Sequence, residues 1–224
     1  MIFFDLEFYV PPEERNHPNS RGTLVFNPGN SNHIILGGYF ISLPISSIKS
    51  EDQASFRHDT SFWIWNYSSE ETLLGAIKNF FEEEFSFQQG QNTQILEKRV
   101  KDVVTCGFAI ARIDLPALYI RSQYHHIAPT PNLFEIFLKS KVIDLCNVSA
   151  FLFPNETTLY PKTAYEVSKR LFPHTKWKPS GKSVWKYYDE GEYEQIETRC
   201  HNEVTDILHI YKKLQSYIGL PRND

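Results

Sequence analysis

The chain has 224 residues, and its 41% hydrophobic and 15% aromatic content supplies enough apolar surface for a real core, which argues against disorder. A net charge of −4 excludes an overall basic sheath for nucleic acid and leaves only a local basic face. Cys106, Cys146 and Cys200 are widely spaced and form no C-x-x-C pair, which argues against a disulfide framework or zinc ribbon and for a reducing compartment.

The first ten residues, Met1-Ile2-Phe3-Phe4-Asp5-Leu6-Glu7-Phe8-Tyr9-Val10, are so rich in Phe, Ile and Val that they read as a strand buried in a sheet. A strand beginning at residue 2 leaves no room for a charged leader and apolar signal region, and no apolar run approaches the roughly 18 to 20 residues of a membrane span. A cytoplasmic protein with no membrane association is therefore expected. Successive strand side chains point to opposite faces, so Asp5 and Glu7 share one face and Phe4, Leu6 and Phe8 the other. Two carboxylates side by side on a buried strand repel each other and lose hydration. A divalent cation relieves both costs, because hard ions such as Mg²⁺ take oxygen ligands. The plain alternative is an edge strand whose acids face water.

Pro11 to Asn19 reads as a loop, Gly22 to Asn27 as a short strand, and Asn27-Pro28-Gly29-Asn30 as a turn. His33 to Leu43 is a strand whose Gly37-Gly38 pair marks a bulge, and Ser61 to Tyr67 is a further β segment. The opening strand and these two, joined by loops, predict an antiparallel meander rather than a Rossmann alternation. Ser68-Ser69-Glu70-Glu71 then offers a helix N-cap, and Leu73, Leu74, Ile77, Phe80, Phe81 and Phe85 follow at helical spacing. Val103 to Phe108 is a strand that leads through Ile113-Asp114-Leu115-Pro116 into a helix from Ala117 to about Tyr124. Val142 to Leu145 is a last short strand. The remainder is mainly helical, with a loop at Pro173 to Ser183, a break at Gly191, and a final helix from roughly Tyr193 to Ile218 that Gly219 and Pro221 stop.

Three β segments, then helix, strand, helix, strand and closing helices is the element order of a ribonuclease-H-like domain, an α/β fold with a mixed five-stranded sheet flanked by helices. Phe4-Asp5-Leu6-Glu7 resembles the first motif, D-x-E on the first strand, of the DEDD superfamily of 3′–5′ exonucleases. Gly107-Phe108-Ala109 through Asp114 resembles the second, in which Ala109 stands where the family usually has Asn. Gly181 to Val204 is similar to the tail of exonucleases related to the proofreading domain of family B DNA polymerases, and Ile143-Asp144-Leu145 to the strand between motifs two and three. The likeness spans nearly the whole chain and implies one such domain over residues 1–224.

The resemblance implies a two-metal hydrolysis of phosphodiesters, with two Mg²⁺ or Mn²⁺ ions about 3.5 to 4 Å apart serving both ends of an in-line displacement. Asp5 would bridge the ions, Glu7 and a motif-three acid would hold the ion that binds the water, and Asp114 would act from its helix start. A general base beside the water completes the site. Motif three admits two registers. In the polymerase-like pattern, Tyr and Asp four residues apart, the positions hold Arg199 and Glu203; Glu203 keeps a metal ligand, but Arg199 cannot be the base. In the other branch, His and Asp five apart, His201 would be the base and Asp206 the ligand. The second register is preferred, because its base and ligand are both intact and a histidine titrates near neutrality.

The expected partner is the 3′ end of DNA or RNA, single-stranded for preference, because a terminal nucleotide must splay into the site. Nucleoside 5′-monophosphates would be the product. The departures at motif three and at Ala109 keep open an alternative: a catalytically impaired member that binds nucleic acid or a protein partner. Other conspicuous residues read as structural. His125-His126 is expected at the surface or in packing, Asp144 as a helix cap or turn contact, and Phe62, Trp63 and Trp65 as core. The basic residues Lys162, Lys169, Arg170, Lys176, Lys178, Lys182 and Lys186 read either as a phosphate cradle or as a solvated face.

Overall fold

Ile2–Tyr9 form β1, and the chain returns beside it as β2 (Ile34–Ser42) and β3 (His58–Trp63). A computed structural model describes residues 1–15, 26–44, 56–92, 104–154, 160–172 and 183–218. The three strands are antiparallel neighbours, as expected of a meander. Of the strand expected at Gly22 to Asn27, residues 22–25 lie outside the described residues, while Phe26 and Asn27 are irregular. The helix α1 (Glu70–Asn92) follows, and Ser69 caps it by accepting from the Thr72 N–H at 3.2 Å. Next come β4 (Val104–Gly107), α2 (Asp114–Tyr124), α3 (Thr130–Leu133, which runs on as a π turn), β5 (Lys141–Asp144), α4 (Leu145–Val148), α5 (Ala164–Leu171), α6 (Ser183–Asp189) and α7 (Tyr193–Ile218). The result is an α/β chain with a mixed five-stranded sheet in the order β3-β2-β1-β4-β5, where β4 and β5 run parallel to β1.

The alternation of β1 divides the core. Ile2, Phe4, Leu6 and Phe8 face α1 and α2, where Phe4 stacks on Phe40 at 5.6 Å and meets the edge of Phe81 at 5.8 Å. Met1 and Phe3 face α5 and α7 on the other side. Asp5 and Glu7 fall on that second side, as the alternation predicts.

Glu7 pairs with Gly37 and Phe8 with Ile35, so Leu36 is the extra residue of a bulge. Gly37 has φ +129°, and a Cβ there would sit 1.9 Å from the Phe62 carbonyl oxygen. The bulge corrects one expected boundary. The β2–β3 ladder ends at the Gly37–Trp63 pair, so Ile64–Asn66 turn into a 3₁₀ helix instead of continuing the strand to Tyr67. Similarly α2 starts three residues earlier than its apolar pattern predicts, with Pro116 in the first turn where a missing N–H is harmless.

The turn between β4 and α2 hangs on Asp144. Its Oδ1 accepts from the N–H of Ala109 at 2.8 Å and of Cys146 at 3.0 Å, and its Oδ2 accepts from the Ala111 N–H at 3.2 Å. Asp144 is thus both the N-cap of α4 and the anchor of the turn that delivers Asp114. Glu70 plays a matching part at the start of α1: it bonds the Arg121 guanidinium of α2, His125 at 3.0 Å and the Ile35 N–H at 2.8 Å. His125 is therefore structural.

Ala109 sits in that turn at φ +60°, a conformation costing an L-residue roughly 1–2 kcal/mol. Ala109→Gly is expected to stabilise the protein by about 1 kcal/mol, read as a higher urea midpoint; an unchanged or lower midpoint would show that Ala109 is not strained.

Candidate active site

The helix α7 crosses the second side of the sheet and buries Ile196, Cys200, Val204 and Ile207, a period of three and four that lays one stripe on β1 and β2. Arg199 and Glu203 are four residues apart beside that stripe, so both lean over β1. The β1–β4 ladder registers only Ile2 and Phe3, which leaves the Leu6 N–H without a strand partner from β4. Asp114 Oδ1, at the first residue of α2, accepts that N–H at 3.1 Å. The consequence is one pocket of about 330 Å³ lined by Asp5, Glu7, Asp114, Arg199 and Glu203, with Trp185 as an apolar wall.

Four carboxylates meet here, and the Arg199 guanidinium bonds two of them. Arg199 Nη1 bonds Glu7 Oε1, and Nη2 donates to Glu203 Oε1 at 2.9 Å. Its Nε–H is buried and has no acceptor among the described residues. Cys200 Sγ lies 3.4 Å from the Asp5 carbonyl oxygen, and one donor atom each from Asp5, Glu7 and Cys200 lie within 4.8 Å of one another.

Burial dominates the titration of these groups. It pushes the Glu7 carboxyl up to about 8 against the pull of Arg199, and Asp114 up to about 7 against the hydrogen bond from Leu6. Asp5 is also raised, by burial first and then by the charges of Glu203, Asp114 and Glu7. Arg199 is desolvated too, but the Glu7 and Glu203 carboxylates outweigh that and hold it cationic. Burial first, and then the Asp5 carboxylate, raise the Cys200 thiol well above its ordinary value. The arrangement favours a cation that neutralises the acids.

The two motif-three registers are placed differently relative to the pocket. Among the expected residues, Asp5, Glu7, Asp114 and Glu203 line the pocket, and His201 and Asp206 do not. His201 lies about 200° around the helix from Arg199, is exposed, and packs its ring edge-on to Tyr39 at 4.6 Å. Asp206 is half-buried about 10 Å further along the helix than Arg199.

Two residues carry more weight than the sequence reading gave them. In sequence Arg199 reads as an impossible base and Cys200 as one of the widely spaced cysteines, although the spacing of Arg199 and Glu203 signals an ion pair across one helical turn. Of the basic residues, Lys162 lines the pocket together with Arg112, which the sequence reading passed over. Lys169, Arg170 and Lys186 are exposed, and Lys176, Lys178 and Lys182 lie outside the described residues. Trp63 is buried and stacks on Trp65 at 5.1 Å, which in turn stacks on Tyr193 at 4.5 Å.

No protein-family model matches the chain, and no curated protein matches it.

The raised carboxyls fix a sign. Glu7 and Asp114 bind a proton more tightly folded than unfolded, so their contribution to stability is complete below about pH 4 and is lost as pH rises through about 7 to 8. Asp114→Asn removes one of these titrations. In EDTA, its stability relative to wild type is expected to improve steadily from pH 5 to pH 8, measured by urea unfolding; a pH-independent difference would contradict the raised Asp114.

Proposed function

We propose that the protein is a divalent-metal-dependent 3′–5′ exonuclease on a ribonuclease-H-like fold, releasing nucleoside 5′-monophosphates from DNA or RNA ends. The observation that carries this reading is the convergence of Asp5, Glu7, Asp114 and Glu203, from β1, α2 and α7, on one pocket. Their order along the chain is that of the exonuclease motifs they resemble, and the mixed sheet with β1 at its centre is compatible with that fold.

The donor set suits a hard cation. Asp5, Glu7, Asp114 and Glu203 all offer carboxylate oxygens, with the Cys200 sulfur beside them. Asp5 and Asp114 keep oxygens directed to no cation among the described residues, and Mg²⁺ or Mn²⁺ bound there supplies Lewis-acid stabilisation of a phosphoryl group and of the departing 3′ oxygen. The chain's own residues do the rest. Arg112 and Lys162 bring positive charge to an otherwise acidic pocket, where a phosphodiester backbone needs it. Trp185 closes one wall and is itself held by donating its indole N–H to the Phe8 carbonyl at 3.0 Å.

One observation favours a second reading, that of a catalytically impaired relative acting as a nucleic-acid-binding or protein-interaction module. Arg199 stands where the polymerase-like pattern carries its tyrosine, and it holds both Glu7 and Glu203. Among the described residues no His or Tyr lines the pocket to take a proton from water.

Oligonucleotides labelled at either end, incubated with Mn²⁺, Mg²⁺ or EDTA, separate the two. Metal-dependent shortening from the 3′ end is expected, slowed about 100-fold or more, on the order of 2.7 kcal/mol in barrier, by Asp5→Ala and by Glu203→Gln. Asp206→Asn and His201→Ala should remain near wild type. Binding without shortening would establish the impaired-module reading, and equal rates in wild type and Asp5→Ala would remove the site from the reaction altogether.

A further inference from the structure

We infer that Arg199 is a resident cation occupying half of the acidic centre, so that this protein binds a single divalent ion, on Asp5 and Asp114, where the centres it resembles bind two. The inference rests on the metal-dependent reading above. It starts from which carboxylates are already taken. The pair expected to hold the water-binding ion is Glu7 with a motif-three acid, and these are the two that Arg199 engages, Glu7 through Nη1 and Glu203 through Nη2.

That occupation is permanent for three physical reasons. The guanidinium does not deprotonate in proteins, so no pH within the working range frees the acids. The side chain is 13% exposed and Glu7 is 7% exposed, so breaking the pair would leave an uncompensated buried charge. The arm is also short of alternatives. Its helix is pinned by Ile196, Cys200 and Val204 under the sheet, which keeps the guanidinium over β1.

Charge sets the limit. Arg199 already neutralises charge on Glu7 and Glu203, and Arg112 and Lys162 add positive charge to the same pocket. A second divalent ion, on Glu7 and Glu203, would sit against the Arg199 guanidinium that bonds both, which repels it. Asp5 and Asp114 are the carboxylates left over. Asp114 accepts the Leu6 N–H through Oδ1, and the Asp5 carboxylate meets Cys200 Sγ in a weak contact at 4.0 Å. Thus the Arg199 substitution does more than remove a base: it replaces one ion of the pair with a fixed cation of half the charge.

Counting Mn²⁺ tests this without reference to activity. Calorimetric titration, checked by the electron paramagnetic resonance signal of free Mn²⁺, is expected to give one ion per wild-type chain. Arg199→Gln should bind two, and Arg199→Lys, which keeps the charge, should stay at one; circular dichroism confirms that each variant is folded. Two ions on the wild type would overturn the inference while leaving a metal-dependent nuclease intact, and so would Arg199→Gln remaining at one. No Mn²⁺ on wild type or Arg199→Gln would overturn this inference and the metal-dependent reading together. Should Arg199→Gln fail to fold, the wild-type count against Arg199→Lys decides alone.

Discussion

A carboxylate on the inward face of a central strand must find a positive partner, and Asp5 and Glu7 put two of them there, one residue apart. Arg199 answers that requirement from the opposite element, the last helix, by bonding Glu7 while it also holds Glu203. The contact links residues 192 positions apart and ties the rotation of α7 to the pleat of β1. Were α7 turned by one residue, about 100°, its apolar stripe would leave the sheet and the guanidinium would leave the acids. The ion pair and the apolar packing therefore specify the same register.

The other acid of the site is placed by a chain of buried polar contacts rather than by bulk packing. Asp144 gathers three N–H groups and fixes the turn after β4, and that turn sets where α2 begins. Asp114, as the first residue of α2, meets the β1 edge where the β1–β4 ladder has stopped and accepts the Leu6 N–H. Glu70 and Arg121 brace the far part of α2 against α1 and β2. A buried polar group is costly unless satisfied, so these contacts leave few alternative positions for the acids.

The two departures from the exonuclease pattern have different physical characters. Ala109 adopts the left-handed conformation that an Asn tolerates better, so the backbone turn is retained at the expense of local strain. Arg199 changes the chemistry itself, because a guanidinium neither accepts a proton nor leaves its carboxylates available. Under the proposed function, the first departure is a matter of stability and the second a matter of ion number and proton acceptor.

Much was legible from the residues in order. The alternation of Met1 to Val10 placed Asp5 and Glu7 on one face; the Gly37-Gly38 pair marked the bulge, Ser69 the helix cap, and Asp144 a cap contact. These are short-range properties, set by side-chain period, backbone sterics and local hydrogen bonds. What the sequence could not assign was the partner of each acid. Glu203 and Asp206 sit on neighbouring parts of one helix face and look equivalent in one dimension, and an intact His201 with Asp206 favours the register that does not line the pocket. The distance along the axis and the tilt of α7 over β1 decide between them, and both arise from packing Ile196, Cys200 and Val204 beneath the sheet. Likewise nothing local says that Arg199 reaches Glu7. That pairing exists only because folding brings the last helix onto the first strand, where the buried Glu7 shares a face with the half-buried Asp5.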